Sequence, residues 1–269
     1  MAPSVPPREG RRVFGADPAT FNRARPGYPD RVYEILRTRC GLTPGARVFE
    51  VGAGTGIATR GLLDQGARPL TVIEPDRRMA RYLLGTLGPR RDRVHPVLHP
   101  FETASLPTAS FDLGVAATSF HWISERAGLR RVARLLRPGG WWAEWGNRHG
   151  DPSRRCSYIA AIQPLYRTLL GRGYRAPTGR RLTAQREKRV TALRSSGDFE
   201  RISCELVRWK VERTSAEVTE LWSTFSEVIS LAPKRRRWFL TEMRRVADEE
   251  FGGKVVIPIL TPVYTARRR

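Results

Sequence analysis

The amino-acid sequence predicts an α/β protein with a doubly wound, mostly parallel sheet of seven strands and a helical lid or substrate subdomain. Short apolar segments alternate with helix-type patterns from residue 47 to residue 146, which favours parallel strands covered by helices on both faces. A glycine-rich turn joins the first apolar segment to the first helical pattern. Ligands of such sheets bind beyond the carboxyl ends of the strands, so this turn lies where a binding site is expected.

Seven segments have the pattern of strands. They are residues 47–51, 70–74, 94–98, 111–117, 141–146, 202–211 and 255–266. Pro258 and Pro262 cannot donate to a neighbouring strand, so a bulge or a shortened strand is expected in the last segment. Asp30 is expected to cap the first helix, and the helix after the fourth strand is expected to end at Pro138-Gly139-Gly140. Further helical patterns cover residues 215–230 and 233–250.

These patterns divide the chain into four segments. Residues 1–20, rich in proline, arginine and glycine, are expected to form a flexible arm. Residues 21–150 would form the core with an N-terminal lid helix, residues 151–198 a helical substrate cap, and residues 199–269 the elements that complete the sheet. Within the cap, the glycine- and arginine-rich residues 171–181 are expected to be mobile.

The composition is that of a globular protein with a strongly basic surface. Of the 269 residues, 40% are hydrophobic, and the formal net charge is +22. Two interpretations of this charge stay open: a face that binds RNA or DNA, and an arginine-rich composition spread over solvated surfaces. The basic clusters are short and contain no interleaved aromatic residues on which bases would stack, which favours the second.

Other features argue against several classes of protein. Cys40, Cys156 and Cys204 are far apart and odd in number, which argues against a disulfide framework and indicates a reducing compartment. No pair has C-x-x-C spacing, and no metal site is predicted. Because the sequence has neither an apolar leader nor a run long enough to span a bilayer, we expect a cytoplasmic protein without a membrane partner. The sequence does not predict the oligomeric state.

The segment Glu50-Val51-Gly52-Ala53-Gly54-Thr55-Gly56 carries the strongest functional signal. Alternate glycines bring the main chain close to a ligand, because no Cβ blocks the approach and positive φ angles are allowed. The spacing differs from the G-x-G-x-x-G of dinucleotide binders, since Ile57 stands at the third glycine position. It also differs from the phosphate-binding G-x-x-x-x-G-K-[ST] loop, because no lysine follows.

An acidic residue ends the second predicted strand. Glu74 lies there, and a carboxylate at this place can accept hydrogen bonds from both hydroxyls of a ribose. Asp76, two positions later, is interpreted as the N-cap of the next helix.

With these elements the sequence resembles the class I S-adenosylmethionine (SAM) dependent methyltransferases. Within them it is similar to the small-molecule branch of trans-aconitate methyltransferase-like and methyltransferase type 11-like proteins. The motifs that carry the resemblance are the glycine loop, Arg25-Pro26-Gly27-Tyr28-Pro29, Phe120-His121-Trp122-Ile123 and Leu136-Arg137-Pro138-Gly139-Gly140. The resemblance covers nearly the whole chain and implies a Rossmann-like fold with SAM as the cofactor.

The resemblance also implies a set of cofactor-binding residues. Tyr28 would lie over the cofactor as part of a lid, and Phe101 with Glu102 would contact the adenine. The full set is Tyr28, Glu50, Gly52, Ala53, Gly54, Thr55, Gly56, Glu74, Pro75, Phe101, Glu102 and Thr118. Gly146 stands where relatives often carry a bulkier residue, so the substrate pocket is expected to differ.

Three residues near the ends of the fourth and fifth strands are candidates for catalysis. His121 can act as a general base at neutral pH, and Trp122 can present its ring face to the sulfonium or the substrate. Asn147 can face the substrate. For His121 and Trp122 a purely structural role stays open as the alternative, and His149 is interpreted as a surface loop residue.

The predicted function is methyl transfer from SAM to an oxygen, nitrogen or carboxylate of a small molecule, and a role in secondary metabolism would fit it. Two alternatives stay open: an RNA or DNA methyltransferase, and a protein of the same fold with a non-methylating role, such as a natural-product cyclase. Against the first alternative, the chain lacks an Asn-Pro-Pro-Tyr motif and a Pro-Cys nucleophile.

Overall fold

A computed structural model describes residues 14–151, 156–170 and 179–269 of the chain. The strands β1–β8 are Val48–Val51, Leu70–Ile73, Val94–Val97, Phe111–Ala117, Leu136–Trp145, Arg148–His149, Phe199–Thr214 and Lys254–Arg268. The helices α1–α11 are Pro18–Ala24, Asp30–Cys40, Ile57–Asp64, Arg77–Thr86, Glu125–Leu135, Ser157–Ala161, Gln163–Leu170, Gly179–Ser195, Ser215–Ser223, Ser226–Ile229 and Pro233–Phe251. Three short 3-10 helices cover Phe14–Ala16, Gly88–Arg93 and Phe120–Trp122.

The strands pair in the order β3-β2-β1-β4-β5-β8-β6, and β7 also pairs with β8. The first five strands pair in parallel, whereas β8 runs antiparallel to β5 and β6. This arrangement confirms the predicted α/β class and the mostly parallel sheet. The described residues form eight strands rather than the predicted seven, because the two-residue strand β6 pairs with Ile259 and Leu260 of β8.

The chain divides into two compact units. The sheet unit comprises residues 27–147, 184–207 and 261–269, and the helical unit comprises residues 148–183 and 208–260 with the segment before Gly27, as far as these are described. This division differs from the predicted boundaries after residues 150 and 198. The reason is that the long strands β7 and β8 each contribute residues to both units.

Both faces of the sheet are buried within the sheet unit. Successive residues of a strand point to opposite faces. Accordingly, Val48 packs in one apolar cluster with Leu36 of α2 and Leu62 of α3, whereas Phe49 packs in another with Leu129 of α5. Burying a side chain of this size contributes about 1.5–3 kcal/mol. Strand β1 is therefore fixed from both sides, and the glycine loop starts at its end.

The helical unit has an apolar core of its own, to which α9 contributes Trp222 and α11 contributes Phe239. The region 215–230 holds two helices, α9 and α10, rather than the single helix that was predicted. The break follows α9 at Thr224, where the hydroxyl of Thr224 donates to the carbonyl of Leu221. Strand β7 is longer than the predicted segment 202–211.

Two predictions near the N-terminus were wrong. Ordered structure begins inside the predicted arm, because Asp17 caps α1 by accepting a hydrogen bond from the Thr20 N–H at 3.0 Å; residues 1–13 lie outside the described part. Asp30 is the first residue of α2 rather than its cap, since Pro29 precedes the helix without a side-chain hydrogen bond. Of the segment predicted to be mobile, residues 171–178 also lie outside the described part.

The predictions about the end of helix α5 and about the length of strand β8 were also wrong. Helix α5 ends at Leu135, and Leu136 already has extended backbone angles, so Pro138-Gly139-Gly140 lies within β5 rather than ending the helix. Strand β8 is not shortened by its prolines. Pro258 contributes its carbonyl as a hydrogen-bond acceptor, and Pro262 falls between the parts of β8 that pair with β6 and with β5.

Candidate active site

The glycine loop begins where β1 ends at Val51. Gly52, Gly54 and Gly56 have φ angles of 67°, 58° and 85°. The N–H of Gly52 donates to the carbonyl of Ile73 at 2.8 Å and ties the loop to the end of β2. Because only glycine adopts such φ angles at low cost, the alternating glycines of the sequence are explained by the backbone at all three positions.

Gly52 is also required by the space around it. A Cβ on Gly52 would lie 2.6 Å from the Cβ of Ser119, which follows β4. The hydroxyl of Ser119 in turn donates a short hydrogen bond to the carbonyl of Val51. This role of Ser119 could not be predicted from the sequence, because the contact joins residues that lie far apart along the chain.

Glu74 is held at the end of β2, beside the loop. It is 7% exposed, and its carboxylate accepts hydrogen bonds from the N–H of Gly54 and from the N–H of Asp76, each at 2.8 Å. Charge-assisted hydrogen bonds of this kind fix the orientation of a carboxylate. Asp76 caps α4 by accepting from the N–H of Arg78, which confirms its interpretation as an N-cap.

Glu50 lies beneath the loop, on β1, and is 1% exposed. It accepts a hydrogen bond from the hydroxyl of Thr59 on α3 at 2.6 Å. Burial raises the pKa of Glu50 to about 8; the hydrogen bond from Thr59 opposes this rise, and the negative charge of Glu74 adds to it. Glu50 therefore joins the strand before the loop to the helix after it.

We expect Glu50→Gln to change how stability depends on pH. A carboxyl whose pKa is raised on folding from 4.5 to about 8 stabilises the fold fully below pH 4.5, and this contribution is lost as the pH rises through 8. Chemical denaturation across this range should show the wild type losing stability relative to the variant, by at most about 1.4 kcal/mol per pH unit. A difference between the two that stays constant with pH would contradict the assignment.

The other predicted loop residues differ in their surroundings. Ala53 and Thr55 are buried, and Pro75 is partly buried. The hydroxyl of Thr55 has no hydrogen-bond partner among the described residues. A buried hydroxyl without a partner costs about 1–3 kcal/mol, which makes this group a natural partner for a polar atom of a ligand.

A second group of predicted residues lies at the ends of β4 and β5. The hydroxyls of Tyr28 and Thr118 lie 2.9 Å apart, and the ring of Tyr28 packs edge-on against Trp145 with centroids 5.7 Å apart. The side-chain amide of Asn147 donates to the carbonyl of Gly27 at 2.9 Å. The segment before α2 is thus fastened to the strand ends where the ligand is expected.

His121 and Trp122 share the 3-10 helix that follows β4. Their rings lie 4.7 Å apart; His121 is exposed, and Trp122 is partly buried. The residue before them, Phe120, is buried, and its ring lies 4.9 Å from that of Trp142 in the core. The buried ring of Phe120 thus anchors the 3-10 helix. The imidazole of His121 on this helix is accessible just beyond the carboxyl end of β4.

Phe101 and Glu102 occupy the loop after β3. Phe101 is 3% exposed and stacks on Phe49 with centroids 6.2 Å apart, so its ring is placed by core packing. Glu102 is exposed. In the described conformation, Glu102 and the backbone are therefore the accessible parts of this pair.

His149 was predicted to be a surface loop residue, and this prediction was wrong. It lies on β6 in the helical unit, and the rings of Trp222 and Phe225 have centroids 6.0 and 5.1 Å from its own. Burial lowers the pKa of His149 to about 3, and the charges of Arg25 and Arg213 contribute. Its Nε2 has no hydrogen-bond partner among the described residues. Nothing in the local sequence pointed to these distant aromatic neighbours.

Within the described ranges, no cluster of three or more histidine, cysteine or acidic side chains is arranged to hold a metal ion. All three cysteines are free thiols. The described helices include none with the length and apolar character needed to cross a membrane.

Three comparisons place this geometry among known proteins. Residues 48–140 match the family model of a methyltransferase domain. An uncharacterised methyltransferase of Mycobacterium tuberculosis is 30% identical over an alignment of 160 positions, which covers 52% of this chain and 61% of the relative. A solved structure of a proposed type II methyltransferase from Anaeromyxobacter dehalogenans has a TM-score of 0.65 at 20% identity, covering 90% of this chain and 97% of that one.

A second solved structure shares the fold at lower similarity. It is the phosphoethanolamine N-methyltransferase 2 of Haemonchus contortus in complex with phosphomonomethylethanolamine and S-adenosylhomocysteine. Its TM-score is 0.53 at 15% identity, and the match covers 98% of this chain and 60% of that one.

The parallel sheet, the glycine loop after β1 and the acidic residue after β2 form a Rossmann-like fold, which the two solved methyltransferase structures share. Residues 48–140, which the methyltransferase domain model matches, include the glycine loop and Glu74. The chain spans less than two thirds of the length of the mycobacterial relative.

Proposed function

We propose that this chain transfers a methyl group from SAM to an oxygen, nitrogen or carboxylate of a small molecule. The observation that carries the proposal is the pairing of the glycine loop with Glu74. Positive φ angles open the main chain at Gly52 and Gly54, and the adjoining carboxylate of Glu74 is already oriented by two N–H groups. These residues fit a nucleoside cofactor. The glycine loop lets the cofactor come close to the main chain, and Glu74 would accept hydrogen bonds from the ribose hydroxyls.

The methyl group of SAM is already activated by its sulfonium. The task of the protein is to hold a nucleophile in line with the breaking bond, and alignment of this kind supplies about 7–11 kcal/mol. His121 is the proposed base for an acceptor that must lose a proton, and Asn147 is the proposed contact to the acceptor. A carboxylate acceptor needs no base.

The acceptor can be identified with the full chain and a small-molecule extract. Incubation with SAM carrying a deuterated methyl group should yield at least one labelled compound by mass spectrometry. The Glu74→Ala variant serves as the control that should yield none. A folded wild-type protein that binds SAM but labels nothing would favour the non-methylating alternative.

For an acceptor that must lose a proton, we expect His121→Ala to lower turnover by about 100-fold or more, the usual contribution of a general base. Affinity for S-adenosylhomocysteine should change by less than about threefold, because the base acts in the chemical step. His99→Ala, which removes another exposed imidazole, is the matched control. Equal losses of turnover and cofactor affinity in both His121→Ala and Glu74→Ala would show that the two roles are wrongly assigned.

The net charge of +22 keeps an RNA or DNA methyltransferase as the second candidate. Phosphate contacts make affinity fall steeply with salt. Retention of RNA or DNA at physiological salt, with methyl label appearing in the nucleic acid, would favour that candidate.

A further inference from the structure

A cleft of about 390 Å³ lies in the sheet unit between the loop after β3 and helix α5. Phe101 and Glu102 line it from the loop, and Arg130, Arg131 and Arg134 line it from the helix. The volume falls within the range of about 300–1,000 Å³ that is usual for small-molecule sites. The cleft therefore combines apolar lining with more positive than negative charge.

The guanidinium groups of Arg130 and Arg134 form no ion pair with any described residue. They lie four positions apart on one helix, where like charges repel. Other arginines of the sheet unit have carboxylate partners: Arg31 and Arg39 with Glu205, Arg90 with Asp64, and Arg137 with Asp112. Arg130 and Arg134 therefore leave two uncompensated positive charges beside this cleft.

The side chain of Arg131, which lies between the two others in the sequence, is held in place by contacts with the loop after β3. Its Nη2 donates to the carbonyl of Ala104, and its guanidinium lies 5.4 Å from the ring centroid of Phe101. Its Nε is buried and has no hydrogen-bond partner among the described residues. Burial and the charge of Arg134 lower the pKa of Arg131, whereas Glu102 opposes this shift.

We propose that this cleft binds a small phosphorylated molecule. Arg130 and Arg134 would contact the phosphate, and Arg131 would hold the phosphate in position. The planar guanidinium matches phosphate oxygens with two parallel hydrogen bonds, which makes arginine well suited to this group. Ala127 and Gly128 add apolar lining for the organic part of the ligand, and Phe101 contributes the small part of its surface that is exposed. The proposal does not rest on methyl transfer, although Phe101 and Glu102 also belong to the residues expected to contact the adenine of the cofactor.

The test is calorimetric titration of the full chain with inorganic pyrophosphate and with phenyl phosphate, neither of which carries a ribose, at low and at physiological salt. We expect saturable binding that weakens with salt, and a loss of about tenfold or more in the double variant R130Q/R134Q. R126Q is the matched control, because Arg126 is an exposed arginine of the same helix that does not line the cleft. It should bind within about twofold of the wild type.

Three results would overturn the proposal: no binding of either phosphate compound, an equal loss in R126Q, or binding of a single-stranded oligonucleotide alone. The last two would indicate a general basic surface. Titration with S-adenosylhomocysteine is run separately, so a failure of the proposed methyltransferase function is distinguishable from a failure at this cleft.

Discussion

Replacing Gly52 with alanine is expected to reduce SAM binding below detection in a protein that still folds. Alanine at a φ angle of 67° is strained by about 1–2 kcal/mol. In addition, its Cβ would lie 2.6 Å from that of Ser119, so the loop or the end of β4 must move. Overpacking of this kind costs about 1–3 kcal/mol. Because the loop backbone is itself the proposed cofactor contact, the displacement acts directly on affinity, which calorimetry measures.

Two further variants separate the effect of backbone strain at a positive φ angle from the effect of displacing the glycine loop. Gly41→Ala places alanine at a φ angle of 70° where no atom lies within 4 Å, so it should lose some stability and keep its affinity for SAM. Adding Ser119→Gly to Gly52→Ala removes the clashing Cβ and should restore part of the affinity. Wild-type affinity in Gly52→Ala would mean that the cofactor does not rest on this loop.

Glu74→Ala is expected to weaken SAM binding by about 100-fold or more. Hydrogen bonds to a charged group contribute about 1.5–3 kcal/mol each, and the proposed contact to the ribose makes two. The variant also leaves the N–H groups of Gly54 and Asp76 without their carboxylate partner, which loosens the loop. Titration with SAM and with adenosine would show the loss for both ligands, because both carry the ribose.

Asp76→Ala is the matched control for Glu74→Ala. It removes the neighbouring carboxylate, which caps α4 rather than facing the loop. We expect a stability loss of about 0.5–2 kcal/mol, as for other N-caps, with a change in SAM affinity of only a few fold. If the effects of the two substitutions on affinity were equal, Glu74 would have no special role in binding the ribose.

The parts of the fold that sequence analysis predicted well are those that local patterns determine. Strand β4 was predicted with its observed limits, because its apolar run lies between clear turns. The glycine loop was predicted because positive φ angles restrict the choice of residue. The cap at Asp76 was predicted because its hydrogen bonds reach only two and three positions along the chain.

The parts that were missed depend on distant contacts. Helix capping by Asp17 was overlooked in a segment whose composition suggested disorder. The contact of Gly52 with Ser119 and the hydrogen bond from Thr261 to Asn147 join residues far apart in the sequence. No pattern of period 2 or 3.6 encodes such contacts. For the same reason, the aromatic surroundings of His149 became evident only from the folded chain.

Calorimetric titration of the full chain with S-adenosylhomocysteine tests the central claim most directly. We predict saturable binding to one site, with affinity lost in Gly52→Ala and retained in Gly41→Ala. A wild-type protein that is folded by circular dichroism and gives no binding heat at several temperatures, with either S-adenosylhomocysteine or SAM, would contradict the claim that the loop after β1 and Glu74 form a cofactor site.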